Sequence, residues 1–150
     1  MNQLFACIIV FGFLVLSTAC REAAPLTVEM QLGKLIYTFT PQASNQKILI
    51  QDIVVRKKQC EQSCLVWMLV NKVGDEREAT ADALLINSIV YGATLQGMAS
   101  RIPPTSLKIG EYTVGGTVAI IEDDVVIKSK VFSVDYALIQ NDNDQFEVIQ

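Results

Sequence analysis

The chain has 150 residues, enough for one domain, and carries 12 Lys+Arg, 16 Asp+Glu, four Cys and no His. Without His it lacks the commonest general base, triad partner and metal ligand. A net charge of −4 and a pI near 4.8 argue against a nucleic-acid partner, which needs a basic face.

Met1 to Ala19 holds no charged side chain, and Leu4 to Leu16 is apolar apart from Gly12. As a helix that run spans roughly 20 Å, short of the ~30 Å hydrocarbon core, so it suits the apolar centre of a signal peptide. Small residues Ser17, Thr18 and Ala19 precede Cys20. The stretch Leu16-Ser17-Thr18-Ala19-Cys20 resembles the lipobox of bacterial lipoproteins. The resemblance implies cleavage before Cys20 and fatty acylation of its sulfur and new amine, which would make membrane lipid the first partner. Residues 1–19 are then a signal peptide, 20–25 the lipidated Cys and tether, and 26–150 the folded domain. A plain cleaved secretory signal and an uncleaved anchor are the other readings of the same segment. Arg21 stands where an Asp would favour the inner membrane, which implies an outer-membrane lipoprotein facing the periplasm. Arg21 to Pro25 reaches at most about 18 Å, so the domain would sit close to the bilayer.

The rest alternates apolar and polar residues with period 2 in short runs, the pattern of half-buried strands. Leu26, Val28, Met30 and Leu32 form the first, ended by Gly33; Leu35, Tyr37 and Phe39 form the second, ended by Pro41. Lys47 to Arg56 is apolar on both faces (Ile48, Ile50, Val54; Leu49, Ile53, Val55), as expected of a central strand covered at least partly on both sides. Leu65 to Val70, around Trp67, reads as another central strand. Asp75 to Leu85, rich in Ala, Glu and Leu, predicts a short helix or helical turn. Asn87 to Tyr91 returns to strand. In Tyr112 to Ile121, Tyr112, Val114, Val118 and Ile120 share a face, and Gly115-Gly116 marks a bulge or a close backbone approach. Glu122-Asp123-Asp124 turns the chain into Val125 to Tyr136, whose change of phase predicts a bulge at Lys130 to Phe132. Phe146 to Ile149 is a short edge strand or a frayed tail. About seven short strands with little helix predict an all-β antiparallel sandwich.

Leu107-Lys108-Ile109-Gly110-Glu111-Tyr112-Thr113-Val114 resembles the corner motif of immunoglobulin-like and fibronectin-like sandwiches, in which a Leu and a Gly lead into a Tyr that pins a corner between sheets. With Val90-Tyr91-Gly92, Gly97-Met98 and Pro103-Pro104 upstream, the pattern is similar to that of small envelope lipoproteins. The resemblance implies a single immunoglobulin-like domain with Leu107, Gly110 and Tyr112 as structural corner residues. It brings no catalytic residue with it.

With Cys7 lost in the signal and Cys20 acylated, Cys60 and Cys64 remain. In a straight strand they would lie about 13 Å apart, too far to join. A disulfide between them therefore requires a turn at Glu61-Gln62-Ser63. The rival reading is a copper-binding or thiol-redox protein using Cys60 and Cys64, with Met68 or Met98 as a thioether ligand. Similar spacing occurs in membrane-anchored copper chaperones, but those add a His that this chain lacks. Glu122-Asp123-Asp124 and Asn141-Asp142-Asn143-Asp144 carry oxygen ligands of the kind Ca²⁺ takes, without a calcium-loop spacing, and read as solvated turns. Arg56-Lys57-Lys58 reads as a solvated strand end, or as a weak contact for anionic head groups. No Ser or Cys has a His to activate it, so no catalytic residue, metal or cofactor is assigned. The sequence points to a non-catalytic envelope lipoprotein that binds a protein or ligand partner or supports an envelope assembly.

Overall fold

The chain from Leu26 pairs with itself almost at once. In a computed structural model, which describes residues 26–61, 64–71 and 87–150, the first two alternating runs are β1 (Leu26–Gln31) and β2 (Lys34–Phe39). They form a hairpin with Leu26 opposite Phe39 and Gln31 opposite Lys34. The strands that follow are β3 (Gln46–Lys57), β4 (Leu65–Asn71), β5 (Ser88–Val90), β6 (Met98–Ile102), β7 (Gly110–Glu122), β8 (Val125–Gln140) and β9 (Phe146–Ile149). They make two antiparallel sheets, one ordered β1-β2-β5 and the other β6-β4-β3-β7-β8-β9. The chain changes sheet between β2 and β3, between β4 and β5, and between β5 and β6. This is an immunoglobulin-like β-sandwich, and no helix occurs among the described residues. The signal segment, Cys20 and the helix expected at Asp75 to Leu85 lie outside those residues.

Apolar side chains of every second residue meet between the sheets. Leu35, Tyr37, Phe39 and Ile89 come from the smaller sheet; Ile53, Val55, Trp67, Leu69, Tyr112, Val114 and Leu138 come from the larger. Each fully buried aliphatic side chain contributes about 1.5–3 kcal/mol of transfer free energy. The aromatic rings form a connected group across the interface. Tyr37 stacks on Trp67 at 6.3 Å and meets Tyr136 edge-on at 6.1 Å; Tyr136 stacks on Tyr112 at 5.5 Å. The Tyr37 and Tyr136 hydroxyls, one from each sheet, hydrogen-bond to each other at 2.8 Å, which satisfies two buried polar groups at once. Burial raises both phenol pKa values, that of Tyr37 well above the usual range.

Two expectations need correction, and a third holds. β3 is covered on both faces, though unequally. Its pairing with β7 shifts between Ile50 and Asp52, leaving Gln51 as an extra residue, and this bulge brings Ile48, Ile50, Ile53 and Val55 onto the core side. Leu49 is left on the other face, in a small second cluster with Ala119 and Ile121. The irregularity in β8 lies at Ile127, where Ile120 faces Lys128 and Ile121 faces Val126, and not at Lys130 to Phe132. Val131 stands opposite Thr117, on the parity that alternates with Val118 and Phe132, so it points off the outer face of the larger sheet and is 83% exposed. Finally, nine strands are present among the described residues rather than about seven. Unlike the tail strand β9, β6 was not foreseen, since Met98-Ala-Ser-Arg-Ile102 lies at a sheet edge and shows no alternation.

The registers give the sandwich two unlike ends. Leu26 lies opposite Phe39, Phe39 packs on Phe132, Gln42 bonds to Lys130, and Gln46 faces Glu122. The start of β1 and the tip of the β7–β8 hairpin therefore share one end. The β1–β2 turn, Cys60, Cys64, the segment before Tyr112 and the β8–β9 turn share the other.

Candidate functional site

At the second end, Cys60 and Cys64 are joined by a disulfide, with Cα atoms 5.5 Å apart. The β3–β4 connection brings them together: Lys57 N–H donates to Cys64 C=O at 2.7 Å, and Val55 stands opposite Trp67. Both sulfurs are used in the bond. Met68 faces Val54 and Ile102 on β4, while Met98 is buried beside Asn71 at the opposite end of that strand. Neither thioether is brought into a group with the two cysteines, and among the described residues no cluster of three or more His, Cys, Asp or Glu could hold a metal. A loop this short gives the bridge about 2 kcal/mol in the chain-entropy account. Replacing both Cys60 and Cys64 by Ser should lower stability by that amount in urea unfolding, with the fold retained. A loss of 5 kcal/mol would mean that the bridge holds more than its own turn.

The Tyr112 hydroxyl donates to Lys108 C=O at 2.7 Å and accepts from Lys108 N–H at 3.2 Å. Leu107 packs on the core beside it, and Gly110 takes φ +144°, where an added Cβ would lie 3.0 Å from Lys57 Cε. The segment from Ser106 to Gly110 is thereby held against the start of β7. Tyr91 holds the preceding stretch, with its hydroxyl within reach of Thr105 C=O (2.9 Å) and Val66 C=O (3.1 Å).

The charged motifs are spent locally. Asp123 and Asp124, both at positive φ, form the two-residue turn between β7 and β8, and Asp124 pairs with Lys47 at 3.0 Å. Asn141 Oδ1 accepts from the N–H groups of Asn143 and Gln145, which closes the β8–β9 turn. Lys58 pairs with Asp135 at 2.7 Å, and Thr113 also donates to that carboxylate. These bonds hold the Asp135 carboxyl below its usual pKa and raise that of Lys58. Arg56, Lys57 and Lys58 sit at the end of the sandwich away from the start of β1.

A groove of about 820 Å³ runs between β1 with its turn and the β8–β9 hairpin. Val28, Met30, Phe146 and Val148 give it an apolar floor, Glu29, Asp144 and Glu147 supply carboxylates, and no Lys or Arg lines it. Comparison of the chain with family models, with curated proteins and with solved structures finds no match. The groove was not foreseen from the sequence. Its walls come from opposite ends of the described chain, and no local pattern announces that β1 and β9 are neighbours.

Proposed function

We propose that this protein is a lipid-anchored lipoprotein of the bacterial cell envelope, held in the outer membrane facing the periplasm, whose β-sandwich binds a partner without catalysis. The observation that carries the reading is the lipobox-like Leu16-Ser17-Thr18-Ala19-Cys20 behind a short apolar run, only five residues before β1 begins. The layout of the sandwich supports it. Exposed Val125 and Ile127, with Lys128 beside them, stand at the same end as Leu26, where a short tether would bring them to the bilayer. Aliphatic and basic side chains suit that boundary. The disulfide, the Tyr112 corner and the groove would then face away from the membrane. The absence of His from the whole chain favours binding over acid–base or nucleophilic chemistry.

The test is the mature N-terminus. Mass spectrometry of protein from bacterial membranes should find Cys20 as the first residue, carrying fatty-acyl groups. Cys20→Ala should leave the signal uncleaved or release the protein from the membrane, because one chain binds only reversibly and stable anchoring takes several. An unmodified Cys20 in the native protein overturns the reading.

A further inference from the structure

We propose that the groove between β1 and β9 receives an extended basic peptide strand that adds to the free edge of β1. The inference deepens the partner-binding reading above and rests on it. Tyr91 N–H donates to Leu35 C=O, so the backbone groups of Leu35 and Tyr37 point toward β5 and those of Ile36 and Thr38 toward β1. By alternation the N–H and C=O of Val28 and Met30 point outward, into the groove. Such an edge is a template for another strand.

One peptide-like group already occupies it. The side-chain amide of Gln150 accepts from Val28 N–H at 3.1 Å and donates to Leu26 C=O at 3.4 Å. A carboxamide with one oxygen and one N–H so placed stands where the peptide group of an added strand would stand. Beyond it, toward Gly33, no partner among the described residues meets the outward groups of Met30.

The lining selects the occupant. A strand along β1 would turn alternate side chains toward Val28, Met30 and Val148, which calls for β-branched residues, and the others to the side of Glu29; with Asp144 and Glu147 also lining the groove and no Lys or Arg there, its charge calls for Lys or Arg. The rim adds apolar surface. Leu32 is fully exposed in a left-handed turn conformation that favours Asn or Gly, and Phe146 is 37% exposed across from it. A large apolar residue held against both its solvation and its backbone preference marks the mouth of the groove as a contact surface.

The probe is a seven-residue peptide of alternating Lys and Val, capped at both ends, titrated into the full chain in non-ionic detergent and followed by amide NMR. Saturable binding is expected, with the largest shifts at Val28, Met30 and Phe146. Replacing every Lys of the peptide by Glu, or N-methylating alternate peptide groups, should each weaken binding by about tenfold or more. Gln150→Ala, which removes the internal competitor, should tighten it. The proposal is overturned if no saturable binding appears at millimolar peptide, if the N-methylated peptide binds equally well, if the shifts fall on the β6 edge, or if the chain pairs with itself through β1 instead. Any of these would leave the Cys20 result untouched, and an unlipidated Cys20 would leave the peptide result untouched.

Discussion

Gly116→Ala is expected to cost about 4 kcal/mol or more, close to the whole stability of a marginal domain of this size. A Cβ at Gly116 would lie 2.2 Å from the Asp52 carbonyl oxygen and 2.9 Å from its carbon. Neither atom is the end of a movable side chain. Asp52 follows the extra residue Gln51 in β3, and β3 is held on both sides, by β4 and β7. The carbonyl cannot withdraw without undoing the bulge, and the bulge is what keeps Ile48 and Ile50 on the same side as Ile53 and Val55. Gly115→Ala is the control. Its Cβ would meet Phe132 C=O at 3.2 Å, a contact relieved by a few tenths of an ångström, and about 1 kcal/mol is expected. Urea unfolding of both variants checks the difference. Equal midpoints for Gly116→Ala and wild type would mean that the two strands do not approach as described.

The second large effect is expected at Tyr112. Tyr112→Phe removes one hydroxyl and leaves Lys108 C=O without its donor, a loss of about 1–3 kcal/mol. Tyr112→Ala also removes a ring that is 2% exposed and stacked on Tyr136, so about 3–5 kcal/mol is expected. The interval between the variants separates packing from the hydrogen bond. If Tyr112→Phe unfolds at the wild-type denaturant concentration, the hydroxyl holds nothing.

Most of the fold could be read from single strands because one face of each is buried and the other is not. Tyr112, Val114, Val118 and Ile120 alternate in the sequence and are all buried in the structure. Where both parities are apolar, as in Ile48 to Val55, period alone could not locate the extra residue; that depended on pairing with β7. In β8 the apolar residues Val125, Ile127 and Val131 suggested a core face, but Val131 lies on the outer face opposite Thr117, Ile127 is the extra residue of the irregularity, and Val125 sits at the hairpin tip. The groove lay furthest from local reading. Gln150 and Val28, whose bond ties the end of the described chain to β1, are 122 residues apart, and Glu29 and Glu147 read singly as ordinary solvated charges.

The joined aromatic rings also have an optical consequence. Trp67 is the chain's one tryptophan, 0% exposed, with Tyr37 at 6.3 Å and Tyr91 at 5.2 Å. Tyr136 touches Tyr37, and Tyr112 touches Tyr136, so all four tyrosines connect to the indole through ring contacts. In the native sandwich, light absorbed by any tyrosine passes to Trp67 and leaves as blue-shifted indole emission from an apolar site. Tyr37 belongs to the smaller sheet and Trp67 to the larger, so parting the sheets takes Tyr37 away from the indole, opens the indole to water and shifts its emission to the red. The protein thus carries a built-in gauge of contact between its two layers, readable without any label.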